Sequence, residues 1–442
     1  MAATTLSLRC VASSFFIVAG ASSSSTRRRG SSSSSSSPPI LGSSPHGRRW
    51  RVRCRAPRAA AIADADADDN VAAVAAAEER SLLVKRAMSL RAKAIKTNLA
   101  YLNVPTKMLF EKEELAKALA EAWSVKLSRS TCVPLRQIVG MPGNPRAGYV
   151  VVALDVGEAG FVDFLIDSGA TTALISPKMR EMLGEAATDG AAVRGLGAMG
   201  ETLRQKVTIE GVSVGSTSLG CLNAVVTDLA ASGLPAVIGG MLGLEFLSKF
   251  EVEFDFVNKA MRFHSPGCIA SGAIDVSQLV EIPMSTHPTG LKTVRCRLNG
   301  SEPFPAIVDM GSFFSVANWM AAAAGGVAPD SPGVTQSAMR GTAFDGRAMQ
   351  LSTALFDLEV MGVTGSEAET KSGFGPGAGP GLVSEYKGQC CIGDLPAFAS
   401  LNAEVSPFMS MGLDVIGRGR TVLVAADNRV FLTPGRGQGG VY

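Results

Sequence analysis

The chain has 442 residues, of which 46% are hydrophobic and 18% are charged. This length suffices for two or three domains with sizeable cores. No apolar run reaches the roughly 20 residues that a membrane-spanning helix needs, so the sequence predicts no membrane span. Residues 1–58 hold ten basic residues and no acidic ones, which leaves a net charge of about −7 on the remainder. A nucleic-acid-binding surface is therefore not expected.

The N-terminal segment is rich in serine and arginine, and its first acidic residue is Asp64. This composition is typical of an organelle transit peptide, and "VRCRA" (residues 52–56) resembles a chloroplast processing site. We therefore expect residues 1–58 to be a disordered transit peptide that directs the protein to the chloroplast, and within it to the stroma. The mitochondrion is the alternative destination. A disordered tail without a targeting role would have the same composition.

An Ala/Asp linker is expected at residues 59–70, followed by an α-helical hairpin over residues 71–130. From Val71 to Tyr101 the chain lacks Gly and Pro and repeats apolar residues at helical spacing. A second helix is predicted over residues 108–123. One of its faces is apolar and consists of Leu109, Leu115, Leu119 and Trp123. The pair resembles SAP-like helical hairpins, which bind nucleic acid or dock on partners; packing on the main domain is the simpler interpretation.

The chain changes character near Gly148. From there to residue 434, short β-rich runs alternate with Gly, Asn and Asp turns, which predicts a mainly β fold. In "FVDFLIDSGATTALIS" (residues 161–176) an apolar run leads to Asp167, and Ser-Gly follows. By itself, Asp-Ser-Gly is an ordinary turn.

The same pattern returns further along the chain. "FPAIVDMGSFFSVAN" (residues 304–318) leads through an apolar run to Asp309. Two more ungapped matches follow in the same order: "RGLGAMGETLR" with "RGTAFDGRAMQ", and "GLEFLSKFEVEFDFVNKAMRF" with "GLDVIGRGRTVLVAADNRVFL". The offset of the last match is larger because of a Gly/Pro-rich insertion at residues 365–381. The ordered matches indicate duplicated β domains at residues 148–268 and 275–434.

These repeats resemble the aspartic protease superfamily, with lobes of retropepsin-like size. The resemblance implies two β-barrel lobes, each with an Asp-Ser/Thr-Gly loop, a flap hairpin and an apolar-apolar-Gly strand. It also implies an endopeptidase that acts on proteins or peptides without cofactor or metal, as a monomer with intramolecular lobe pairing. The catalytic pair would be Asp167 and Asp309. The supporting residues would be Ser168, Gly169, Gly311, Ser312, Gly243 and Gly412. The flap and substrate-binding residues would be Gly195, Gly197, Met199, Gly200, Gly341 and Phe344.

Paired carboxyls suit this chemistry for a physical reason. Two carboxylates about 3 Å apart cannot both ionise easily, so they share a proton and their pKa values separate. The ionised carboxylate can then take a proton from a water molecule, while the protonated one donates to the scissile carbonyl. Glycines after each Asp allow the backbone to turn tightly there.

One position departs from the family pattern. The residue after each catalytic Asp is Ser or Thr in active relatives, and its hydroxyl crosses to the opposite lobe. Ser168 supplies one such hydroxyl, but Met310 cannot supply the other. Ser312 keeps the hydroxyl that supports a carboxylate, whereas lobe one has Ala170 there. The sequence therefore leaves three interpretations: an active endopeptidase, a catalytically weak or inactive peptide-binding relative, and a protein whose functional part is the helical hairpin.

Other patterns carry less weight. "GLGAMG" (residues 195–200) fits a dinucleotide-binding pattern, but a strand follows it and Gly220 stands where an acidic residue is needed. "GVSVG" (residues 211–215) lacks the strand–turn–helix context of a nucleophilic serine. The adjacent Cys390 and Cys391 suit neither a disulfide nor zinc, so we expect reduced, buried thiols.

Overall fold

The computed structural model describes residues 9–11, 17–18, 65–138, 148–197, 200–230, 234–342, 348–362 and 383–435. This part of the chain is mainly β with helices at its N-terminal side, which confirms the predicted fold class. The Gly/Pro-rich insertion, most of the predicted transit peptide, Met199 and Phe344 lie outside the described residues. Among the described residues, no helix is both long and apolar enough to cross a membrane.

The N-terminal region contains two short strands and three helices. They are β1 (Arg9–Val11), β2 (Ile17–Val18), α1 (Ala65–Ser89), α2 (Ala92–Tyr101) and α3 (Lys112–Leu127). Strands β1 and β2 lie within the predicted transit peptide, so the disorder expected there does not extend to these residues, which pair with sheet strands. Residues 20–82 form a unit of their own, in which the described residues 65–82 are helical. The helix begins inside the predicted linker, at the sequence ADADDN, since acidic residues are favourable in the first turn of a helix. The single helix predicted up to Tyr101 is instead divided near Arg91, whose backbone is extended.

The helical hairpin packs on the β domain. Leu115, Leu119 and Trp123 of α3 are fully buried in a core cluster that they share with residues of the β domain. The Trp123 indole donates a 2.7 Å hydrogen bond to the carbonyl of Ser271, and the Arg86 guanidinium lies over its ring at 4.7 Å. A capping box at the start of α3 satisfies backbone donors there. The hairpin is therefore a packed part of the domain.

The first half of the β domain follows directly. Its strands are β3 (Thr131–Pro134), β4 (Arg136–Ile138), β5 (Tyr149–Asp155), β6 (Phe161–Ile166), β7 (Ala173–Ile175), β8 (Ala187–Gly197), β9 (Gly200–Val214), β10 (Thr217–Val226), β11 (Ile238–Leu242), β12 (Glu251–Asp255) and β13 (Ala260–His264). Its helices are α4 (Pro177–Leu183) and α5 (Leu244–Leu247). Strands β3 and β4 lie before residue 148, where the first lobe was expected to begin. The sequence did not predict them because they hold only 4 and 3 residues, too few for a clear alternation of polar and apolar residues.

The second half repeats this plan. Its strands are β14 (Val280–Pro283), β15 (Ser285–Thr286), β16 (Lys292–Leu298), β17 (Phe304–Val308), β18 (Val316–Ala317), β19 (Thr335–Thr342), β20 (Ala348–Met361), β21 (Val383–Ile392), β22 (Met409–Met411), β23 (Arg420–Val424) and β24 (Arg429–Leu432). Its helices are α6 (Trp319–Ala324), α7 (Pro396–Ser400) and α8 (Leu413–Ile416).

The strand orders of the two large sheets are the same, which supports the duplication. The first runs β2-β8-β9-β10-β7-β11-β6-β5-β4 and the second β1-β19-β20-β21-β18-β22-β17-β16-β15. In each, a parallel pair, β6 with β11 or β17 with β22, lies in the interior of the sheet. A chain that repeats its alternation and turns in the same order builds the same lobe twice.

A third sheet joins the two lobes. Its order is β14-β24-β23-β12-β13-β3, with Val252 on β12 opposite Leu423 on β23. Glu253, buried beside this pairing, accepts 2.8 Å and 2.7 Å hydrogen bonds from His264 and Arg420. Burial by itself would raise the pKa of Glu253. The hydrogen bond from His264 and the positive charge of Arg420 outweigh this effect and lower the pKa of Glu253 to about 2.

Candidate active site

Asp167 lies where β6, an interior strand of the first lobe, ends. The buried residues Phe164, Leu165 and Ile166 of β6 lead directly to it, and its carboxyl is also fully buried. Its backbone N–H donates to the carbonyl of Leu242 at 3.0 Å. Its Oδ1 accepts a 2.7 Å hydrogen bond from the N–H of Gly169. The strand and the turn together fix the position of this carboxyl.

Asp309 occupies the same place in the second lobe. It follows the buried end of β17 and is itself fully buried. Its N–H donates to the carbonyl of Met411 at 2.9 Å, and its Oδ1 accepts from the N–H of Gly311 at 3.0 Å. The two Asp loops therefore share one geometry.

The two carboxyls meet at the junction of the lobes. A methyl group placed on Gly169 would lie 2.7 Å from Asp309 Oδ1 and 3.0 Å from Asp167 Oδ1. A methyl group on Gly311 would lie 2.6 Å from Asp167 Oδ1. Oδ1 of Asp167 and Oδ1 of Asp309 both lie within 3.0 Å of the same Cβ position, so a single water molecule could bridge the two oxygens. Only glycine fits at both positions, because any Cβ would occupy the space of the opposing carboxyl.

Gly243 and Gly412 serve a similar purpose behind the Asp loops. A methyl group on Gly243 would lie 2.4 Å from the carbonyl oxygen of Thr172, and one on Gly412 would lie 2.7 Å from the carbonyl carbon of Phe314. Both glycines have extended backbones, which any residue can adopt. Glycine is needed at these positions because neighbouring backbone atoms leave no space for a side chain. The supporting glycines predicted from the sequence thus lie together around the carboxyl pair.

Ser168 links the lobes through its hydroxyl. The hydroxyl donates to the carbonyl of Val308 at 2.6 Å and accepts from the N–H of Met310 at 3.0 Å. The symmetric position holds Met310, which is 1% exposed and has no hydroxyl to return these bonds. Half of the cross-lobe hydrogen bonding expected from the resemblance is therefore present.

An aromatic contact also joins the two lobes. The rings of Tyr149 in the first lobe and Phe313 in the second have centroids 4.4 Å apart. Apolar packing thus adds to the hydroxyl link at this junction.

A hydroxyl that the sequence analysis did not identify reaches the carboxyl pair. Ser410 on β22 is fully buried and donates a 2.9 Å hydrogen bond to Oδ2 of Asp309. The hydroxyl of Ser312, the residue predicted for this role, donates instead to the carbonyl of Phe314 at 2.8 Å. Ser410 is the one hydroxyl residue in the apolar run "FMSMG". A lone polar residue in such a run was the feature of the sequence that could have identified it.

The surroundings of Asp167 favour its neutral form. Burial, together with the charge of the nearby Asp309, raises the pKa of Asp167 well above its usual range. Among the described residues, none hydrogen-bonds Oδ2 of Asp167. Ala170 at the turn has no hydroxyl to offer this oxygen. A pair with one neutral and one ionised carboxyl is what water activation requires.

The predicted flap residues lie on two hairpins. Gly195 and Gly197 end β8 and Gly200 begins β9, with Gly197 opposite Gly200 in the pairing. Gly341 lies on β19, which pairs with β20 in the second hairpin. Strands β2 and β1 pair with β8 and β19, respectively. Both hairpins therefore accept a neighbouring extended segment along one edge.

The site does not resemble a metal centre. The described residues contain no group of three or more His, Cys, Asp or Glu side chains placed to hold a metal ion. Cys390 and Cys391 are buried, and burial raises the pKa of the Cys390 thiol. Cys132 and Cys221 are exposed.

Comparison with known proteins gives one family match. Residues 152–246, which include Asp167, match the model of a family described as aspartyl protease. No curated protein matches the chain in sequence.

Several solved structures are similar to the chain. A retropepsin-like aspartic protease from Rickettsia conorii is 16% identical, covers 31% of this chain and 92% of its own, and has a TM-score of 0.22. Basic 7S globulin from soybean is 11% identical, with 69% and 95% covered and a TM-score of 0.38. Conglutin gamma, a basic 7S globulin from lupine seeds, is 12% identical, with 69% and 94% covered and a TM-score of 0.37. The first lobe therefore matches the aspartyl protease family, in agreement with the resemblance drawn from the sequence.

Proposed function

We propose that the protein is an aspartic-type endopeptidase in which Asp167 and Asp309 activate a water molecule for peptide-bond hydrolysis. The observation that carries the proposal is the buried junction where both carboxyls lie within reach of one water. The raised pKa of Asp167 supports it, because a pair of this kind needs one carboxyl that keeps its proton.

The reaction follows from this arrangement. The ionised carboxylate takes a proton from the water as its oxygen attacks the scissile carbonyl carbon, and the protonated carboxyl donates to the carbonyl oxygen. The lobes bury both groups, so these charges act in a medium of low dielectric constant. The N–H groups of Gly169 and Gly311 hold the two carboxyls in place throughout.

The substrate would be a protein or peptide in extended form, bound between the two flap hairpins. The pairing of β2 with β8 and of β1 with β19 supports this, because both hairpins accept an extended segment at one edge. Main-chain hydrogen bonds of this type bind peptides with little dependence on sequence. One chain supplies both carboxyls, so we propose that the monomer is the active form.

Turnover of a peptide library by the full-length chain at several pH values tests the proposal. Asp167→Ala and Asp309→Ala should each abolish cleavage without unfolding the domain, and the double variant should be no worse than either single one. Asp330→Ala, which changes an exposed acid in the second lobe, is the matched control and should cleave like the unmodified chain. Retained cleavage in either single variant would contradict the pair.

A second candidate function is peptide binding with weak or absent catalysis. Met310 favours it, because the missing hydroxyl removes half of the expected cross-lobe hydrogen bonding at the carboxyl pair. Such a protein would bind a peptide whose scissile bond is replaced by a hydroxyethylene group, yet leave the peptide library intact. Calorimetric titration with that peptide, combined with the library assay, distinguishes the two functions, because binding without cleavage supports the second and binding with cleavage supports the first.

We further propose that the protein is imported into the chloroplast and acts in the stroma. The Ser- and Arg-rich, acid-free composition of residues 1–58 supports this. Residues 1–58 fused to a fluorescent protein should enter isolated chloroplasts and be shortened there. Entry into isolated mitochondria instead would favour the alternative destination.

A further inference from the structure

The hydrogen-bond donors around the two carboxyls are unequal. Asp309 accepts from the N–H of Gly311 at one oxygen and from the Ser410 hydroxyl at the other. Asp167 accepts from the N–H of Gly169 at Oδ1, and the N–H of Ala170 also acts to lower its pKa, but no described residue donates to its Oδ2 and no hydroxyl among them reaches it. The difference arises from one position, since Met241 occupies in β11 the place that Ser410 occupies in β22.

The Ser410 hydroxyl is firmly placed. Its residue is fully buried and lies on the middle of β22, opposite Ile307 of β17 and Val316 of β18. A backbone held on both sides leaves the side chain little freedom to leave the carboxyl. A hydroxyl that donates to a carboxylate favours its ionised form.

From this geometry we infer that Ser410 is a positioning residue that holds Asp309 as the ionised member of the pair and leaves Asp167 as the protonated one. The inference rests on the proposed function and deepens it, because it assigns the two roles. The Ser312 hydroxyl, which donates to the carbonyl of Phe314, takes no part in the assignment.

The proton transfers then have a defined direction. The Asp309 carboxylate takes a proton from water, the water oxygen bonds to the carbonyl carbon, and Asp167 gives its proton to the carbonyl oxygen. When the tetrahedral intermediate collapses, Asp309 passes its proton to the leaving nitrogen, the C–N bond breaks, and Asp167 regains a proton from the diol. Both carboxyls end in the states in which they began.

Among the described residues, few other ionisable groups lie near Asp309 and Ser410. The titratable group that faces Asp309 across the junction is Asp167. Beyond β22, at the start of α8, Asp414 accepts hydrogen bonds from the N–H and the hydroxyl of Ser315. Strands β17 and β18, which flank Ser410, carry no titratable side chain.

The pH dependence of cleavage tests the inference. In Ser410→Ala, the acid limb of kcat/KM should move up by roughly one pH unit, because the ionised base loses a charge-assisted hydrogen bond. Ser312→Ala removes a hydroxyl of the same size that does not reach the carboxyl, so its acid limb should stay in place. Ser410→Thr, which keeps the hydroxyl, should restore the original limb. An unmoved limb in Ser410→Ala would overturn the inference.

A titration that needs no turnover separates this inference from the proposed function. Carbon-13 NMR of the full-length chain labelled at the side-chain carboxyl carbon (Cγ) of Asp follows the ionisation of Asp309, assigned by its loss in Asp309→Asn. An upward shift of that titration in Ser410→Ala supports the inference even if no peptide is cleaved. An unchanged titration overturns it even if cleavage is rapid. If Ser410→Ala does not fold, Ser410→Cys retains the buried volume with a much weaker donor and should move both readouts in the same direction.

Discussion

Replacement of Met310 by threonine tests how the lobes are joined. Ser168 uses its hydroxyl to bond the Val308 carbonyl and the Met310 N–H. By the pseudo-symmetry of the junction, a threonine hydroxyl at position 310 would face the Ser168 N–H and the Ile166 carbonyl. Such a bond contributes about 1 kcal/mol to the free energy of unfolding. In a domain of this size, the threonine variant should therefore have a Tm about 2–4 °C higher than a variant of the same shape without the hydroxyl.

The matched control is Met310→Val, which has the shape of threonine without the hydroxyl. Both substitutions remove the buried methionine and leave a similar cavity, so their difference isolates the hydrogen bond. Urea unfolding of both variants should give the threonine form the higher free energy, and Ser168→Ala should be less stable than the unmodified chain. A threonine form equal to or less stable than the valine form would show that the hydroxyl finds no partner across the junction, because an unpaired buried hydroxyl destabilises.

Three other changes probe the site and the fold. Gly311→Ala should abolish cleavage in a peptide assay, because its methyl group would lie 2.6 Å from Asp167 Oδ1; a cleaving variant would contradict the geometry. Ala170→Thr should lower the alkaline limb of the pH–rate profile by supplying a donor near Asp167; a limb that stays or rises removes this residue from the explanation. Glu253→Gln should lose stability near neutral pH, and the difference should fade as acid protonates Glu253 between about pH 4.3 and 2 in the unmodified chain. In urea unfolding across this range, exposed Glu210→Gln is the control, and a constant difference for Glu253→Gln would contradict the assignment.

Much of the candidate site can be predicted from local sequence alone. Asp167 and Asp309 each end an apolar strand and precede a tight turn, and that pattern depends only on residues within a few positions. The two occurrences, with matching segments in the same order, predict the duplication and therefore the pairing. Gly169 and Gly311 follow from the same turn, since the backbone there approaches the opposing carboxyl too closely for a side chain.

Other features required the tertiary structure. Ser410 lies 101 residues from Asp309 along the chain, and it reaches the carboxyl only because β22 pairs with β17 in one register. The Ser312 hydroxyl bonds a nearby carbonyl rather than Asp309, a choice between neighbouring acceptors that spacing does not determine. The position of Trp123 on Ser271, 148 residues away, likewise depends on how the helical hairpin packs.

The division has a physical origin. Turn residues and the alternation of polar and apolar residues act over a few positions, and a repeat is visible in the sequence as two similar segments. The mainly β fold, the two lobes and the candidate acids can therefore be predicted without a structure. Hydrogen bonds between distant side chains depend on strand register and on competition among nearby donors and acceptors. These are decided only when the lobes pack, and they distinguish the surroundings of Asp167 from those of Asp309.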